Sequence, residues 1–71
     1  MLPIQFEYVH AMNFDGEIKD KRYVTIIGQL KQYYTNKTMY KVRVQMQTGM
    51  VFEEFVNEDT IQEWLRARVK E

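Results

Sequence analysis

The stretch from Met39 to Val56 constrains the fold most, because Tyr40, Val42, Val44 and Met46 alternate strictly with Lys41, Arg43, Gln45 and Gln47. A period of two marks a strand with one face buried and the other wet. After Thr48 and Gly49 the pattern resumes with Met50, Val51, Phe52, Phe55 and Val56, so a second strand must fold back on the first. A loop of Gln47, Thr48 and Gly49 places glycine at the left-handed position of a three-residue hairpin turn. That loop sets Val44 beside Phe52 and Arg43 opposite Glu53.

The same reasoning extends toward the N-terminus. From Pro3 to Met12, Ile4, Phe6 and Tyr8 alternate with Gln5 and Glu7, and Pro3 is tolerable only at the start of a strand or on an edge, so this is an edge strand. A loop of Phe14, Asp15 and Gly16 then brings Phe6 opposite Val24, Ile4 opposite Ile26, and His10 opposite Asp20. The second strand runs from Lys21 to Tyr34, with Gly28 marking a bulge, a bend or a close backbone approach. Thr35-Asn36-Lys37-Thr38 forms the next turn, in which Asn36 accepts positive φ. An odd loop length there is the expected one, because it puts Ile26 and Leu30 on the face of Val42 and Val44, whereas an even one turns Lys31 inward.

Beyond the last strand, Asn57 is an N-cap followed by Glu58 and Asp59, whose charges complement the helix dipole. Arg66, Arg68 and Lys70 are the favourable sign for the other end. Ile61, Trp64, Leu65 and Val69 share one arc, so the helix packs on the sheet with Trp64 as its main anchor, and Arg68, inside that arc, is expected to snorkel past the sheet's edge in preference to making an anion contact. The expected architecture is α+β, a single domain over 1–71 formed by a four-stranded antiparallel β-meander followed by one C-terminal α-helix packed on one face. A barrel-like curl, in which the strands cover their own outer face, is the variant of this fold.

A chain of 71 residues buries only about 60% of the surface that its unfolded form exposes, and its core is worth about 3–5 kcal/mol. Help is normally needed, and the absence of cysteine excludes disulfides and thiolate zinc sites. Oligomerisation is the remaining common remedy. The same absence, with no apolar run near the roughly 18 residues of a membrane span and no basic, apolar leader over Met1 to Phe6, places the chain in the cytoplasm. With 45% hydrophobic and 28% charged residues the composition is globular rather than disordered.

Catalytic chemistry finds few candidates. His10 is the sole histidine, and a surface cross-strand pair with Asp20 explains it better than a catalytic role. Adjacent Glu53 and Glu54 point to opposite faces of a strand and so cannot act as a carboxylate pair. Glu58 and Asp59 serve the helix start, and one histidine leaves a transition-metal site short of nitrogen donors. No glycine-rich phosphate loop is present. The reading is therefore non-enzymatic, with no cofactor and no metal.

The sheet face away from the helix is more informative. Phe52 and Phe55 must point to opposite sides of a regular strand, so one aromatic is left uncovered. In the register above that side carries Tyr23, Ile27, Lys31, Tyr33, Lys41, Arg43, Val51 and Phe55, and the candidate contacts are Tyr23, Lys31, Tyr33, Lys41, Arg43 and Phe55. Aromatic and arginine enrichment suits a protein interface, either with a partner protein or in a homodimer. The alternative is a platform for single-stranded nucleic acid, with rings under bases and cations on phosphates.

Charge ranks these readings. Residues 19–47 hold Lys19, Lys21, Arg22, Lys31, Lys37, Lys41 and Arg43 against Asp20 alone, but Glu53, Glu54, Glu58, Asp59 and Glu63 follow, and the net charge is zero. Sequence-independent nucleic-acid binding draws most of its affinity from a strong basic field. A small protein-binding module that associates with itself is thus the first expectation.

Overall fold

The computed structural model describes residues 2–69. Four antiparallel strands, β1 (Gln5–Met12), β2 (Ile18–Lys31), β3 (Thr38–Met46) and β4 (Val51–Asn57), lie in the order β1-β2-β3-β4, and α1 (Glu58–Arg66) packs on one face. The sheet stays open rather than curling into a barrel. Met1 and Lys70, assigned above to the leader region and to the last helical turn, lie outside the described residues.

Both outer hairpins follow from their glycines. Gly16 and Gly49 have φ of 87° and 92°, a region that costs L-residues 1–2 kcal/mol or roughly that and costs glycine little. Asn13 and Met46 each accept the turn bond from their glycine at 3.0 Å. The resulting registers pair Phe6 with Val24, and Val44 with Phe52. The core follows on one face: Val24, Val42, Val44 and Ile61 are sealed from solvent, with Phe6, Tyr8 and Val56 around them.

The middle hairpin departs from expectation. Its turn is Tyr33–Asn36 rather than Thr35–Thr38, closed by the Gln32 N–H to Lys37 carbonyl bond at 2.7 Å, and β2 ends at Lys31, short of Tyr34. Asn36 does take positive φ, at 58°. An even, four-residue turn puts the tip out of phase with the core, and a bulge at Ile27 absorbs the difference: Ile26 pairs with Val42, but Gly28 pairs with Lys41. Leu30 consequently leaves the face of Val42 and Val44, pairs with Met39 on the open side, and is exposed. Gly28 is not forced by space, since a Cβ there would meet Lys41 Cβ at an ordinary 3.9 Å.

A second irregularity displaces His10. Val9 pairs with Lys21 but Ala11, not His10, pairs with Asp20. The imidazole instead lies edge-on to the Tyr8 ring at 6.1 Å, while Asp20 sits 3.4 Å from Arg22 Nε.

The helix begins as its cap dictates, with Asn57 Oδ1 accepting from the Thr60 N–H at 2.8 Å. Ile61, fully buried, is its anchor. Trp64 is half-buried and stacks on Tyr8 at 5.1 Å and 13°, so the indole is the helix's rim contact rather than its centre. The last turn tightens through Ala67 N–H to Trp64 carbonyl and Arg68 N–H to Leu65 carbonyl bonds of 3.0 and 3.2 Å. From there the chain turns extended, and Arg68 pairs with Tyr8 at the outer edge of β1. Two bonds hold this pairing, Val9 N–H to Ala67 carbonyl at 2.9 Å and Val69 N–H to Glu7 carbonyl at 2.8 Å. Arg68 and Val69 are therefore not helical, and β1 is not a bare edge.

Candidate functional site

Strand alternation lays out the face opposite α1 in rows. Glu7, Tyr23, Gln45 and Val51 form one; Gln5, Thr25, Arg43 and Glu53 the next; Gly28, Lys41 and Phe55 a third; Leu30, Met39 and Asn57 the last. Tyr23, Lys41, Arg43 and Phe55 of the expected set are thus brought together. Phe55, in β4, is 53% exposed, while Phe52 faces the helix side and packs against the core.

Lys31 and Tyr33 do not join them. The bulge at Ile27 shifts the tip by one residue, so Lys31 pairs with Thr38 and takes the parity of the helix side, though it remains exposed. Tyr33 belongs to the turn, almost wholly solvated and edge-on to Tyr34 at 6.0 Å. The same shift supplies Leu30 to the open face, where it meets Met39, which lies there by the unbroken alternation of β3 with Lys41 and Arg43. Ile27, as the extra residue of the bulge, stays exposed.

The cations on this face are answered. Arg43 Nε and Nη2 both donate to Glu53 Oε2, at 3.1 and 3.0 Å, and Lys41 Nζ reaches Glu53 Oε1 at 3.6 Å. Hydrogen bonding from Arg43, with the charges of Arg43 and Lys41 behind it, holds the Glu53 carboxyl below the usual carboxylate range against a smaller opposing desolvation. Lys41 also lies 5.8 Å from the Phe55 ring centre, within cation–π range. At the far end, Lys21 Nζ stands 4.0 Å from Glu7. The surface is therefore a central charged stripe with apolar flanks, Tyr23 and Val51 on one side and Phe55, Met39 and Leu30 on the other.

On the helix side, burial pushes the Tyr8 phenol up, with the charge of Arg22 opposing it. Among the described residues, no cluster of three or more His, Asp or Glu side chains is placed to hold a metal ion, and no helix is long and apolar enough to cross a membrane. Comparison with protein families, with curated proteins and with solved structures finds no match to this chain.

Proposed function

We propose that the chain is a small, non-catalytic, cytoplasmic protein-binding module that associates with itself through the open face centred on Phe55. The supporting observation is that Glu53 engages both Arg43 and Lys41 while Phe55, Val51 and Leu30 stay exposed. A face whose cations are spent on its own carboxylate offers phosphates little, but it offers another protein a flat apolar surface with an arginine at its centre. An isologous contact on this face buries the exposed Val51, Phe55 and Leu30 of both copies. Such a contact enlarges a core that is small for independent stability.

Light scattering tests the proposal. The wild type is expected at twice the chain mass, and Phe55→Ser at the monomer mass with its circular dichroism unchanged, since loss of a central aromatic anchor costs about 2 kcal/mol or more of binding. A monomeric wild type that binds a fluorescent single-stranded oligonucleotide, with affinity falling steeply with salt, overturns it in favour of nucleic acid. Lys41→Glu would then weaken binding and flatten the salt dependence by roughly one unit of slope.

A further inference from the structure

The two edges of the sheet are finished differently. The outer edge of β1 is bonded to the segment around Arg68. β4 has β3 on one side and, among the described residues, no strand on the other.

The phase of the ladder shows what β4 presents there. The Met46 N–H donates to the Met50 carbonyl at 2.8 Å, and antiparallel pairs alternate between mutually bonded and unbonded. Val44–Phe52, Val42–Glu54 and Tyr40–Val56 are then the bonded pairs. The main-chain groups of Val51, Glu53 and Phe55 consequently point out of the sheet. Such a row of free donors and acceptors is the template on which an extended segment adds as a further strand.

A second copy of the chain fits this edge poorly. Two-fold pairing of β4 with itself must match outward-pointing residues with one another, and the one register that uses the whole strand is centred on Glu54 and sets Glu54 against its own symmetry mate, whereas registers centred on Glu53 or Phe55 leave an end of each strand unpaired. Like charges directly opposite are destabilising. The side chains describe a different occupant. On the open side Val51 and Phe55 flank Glu53, whose charge Arg43 and Lys41 already hold. On the helix side Glu54 is exposed and, among the described residues, makes no ion pair, and Glu58 and Asp59 open α1 just beyond it.

We infer that the free edge of β4 accepts an extended segment of a partner protein in which apolar side chains alternate with lysine or arginine. The apolar residues continue the open face beside Val51 and Phe55. The basic ones meet Glu54 and the acidic start of α1. This goes beyond the self-association proposed above, because recognition passes through the main chain of β4 and the charge of Glu54.

The test is an NMR titration of the full chain with an octapeptide of alternating lysine and valine, carried to millimolar peptide. Shifts and slowed hydrogen exchange are expected at the amides of Val51, Glu53 and Phe55, with no response to the same peptide N-methylated at alternate residues. A glutamate–valine octapeptide should bind more weakly. Glu54→Lys, at an exposed position, should lower affinity for the lysine peptide about fivefold and raise it for the glutamate peptide. Unmoved β4 amides, equal responses to the two peptides, or β4 amides already protected in a doubled-mass free protein would each overturn the inference, the last by showing that the edge is occupied by another copy.

Discussion

The helix side and the open side of this sheet are made by the same four strands and obey opposite rules. On the helix side, Val24, Val42, Val44 and Ile61 exclude water completely, so every methyl group matters and shape decides stability. On the open side, Phe55 and Val51 project beside ion pairs that remain in solvent, where such pairs add little to folding. Stability therefore resides on one face and availability for contact on the other. Substitutions ordered by their expected cost to folding probe how complete that division is.

Ile61→Ala should cost most, because removing buried methylenes under a sheet leaves a cavity worth about 2–5 kcal/mol, comparable with the whole stability of so short a chain. Urea denaturation at equilibrium reads it. If the midpoint barely moves, the helix is loosely docked and the sheet has two open faces. Trp64, half-buried and stacked on Tyr8, must cost less than Ile61 for the packing described here to hold.

Gly49→Val comes next. At φ of 92° a β-branched residue is strained by roughly 1–2 kcal/mol, and any relief by shifting register would turn Val44 and Arg43 to the wrong faces together. Loss of the Arg43–Glu53 contact along with stability would show that one turn sets both faces. Valine accepted without cost would mean that some other feature fixes the register.

What the sequence made legible was this local chemistry. Gly16, Gly49 and Asn36 mark positive φ, alternation separates Phe52 from Phe55, and Asn57 with Glu58 and Asp59 announces the helix. The last hairpin needed nothing more, whereas in the first the irregularity that pairs Ala11 instead of His10 with Asp20 left no mark in the alternation. The middle hairpin was not legible, because a four-residue turn and a bulge at Ile27 cancel: the core pairs Ile26–Val42 and Val24–Val44 come out as the odd register requires, while everything beyond Gly28 is inverted. Lys31 and Leu30 exchanged faces for that reason, and Tyr33 went to the turn. Nor does periodicity announce the pairing of Arg68 with Tyr8, since Val69 continues the apolar arc of a helix that has already ended.

Asn57→Ala tests the hinge between the two faces, as the residue both ends β4 and caps α1. Loss of the Oδ1 acceptor for Thr60 should cost about 1 kcal/mol. Thermal melting should show it, with serine at the same position restoring most of the loss. A larger effect, unrelieved by serine, would assign Asn57 a role in the sheet edge beyond capping.

The smallest effect on folding belongs to Glu53, and it bears most directly on what the open face can bind. Its carboxyl is held low by Arg43 and Lys41, and a group whose pKa is depressed on folding contributes stability above its unfolded pKa that is lost as pH falls through the folded one. Because the pair is exposed, the change in stability on acidification should be slight and weakened further by salt. The informative readout is the titration of the carboxyl itself. By NMR, Glu53 should titrate below the ordinary carboxylate range in the wild type and move back toward it in Arg43→Met, with circular dichroism unaltered. An ordinary titration in the wild type would mean that Arg43 and Lys41 are not held by Glu53 in solution. The open face would then present two unanswered cations beside Phe55, and the balance of charge that favours a protein partner over a nucleic acid would be gone.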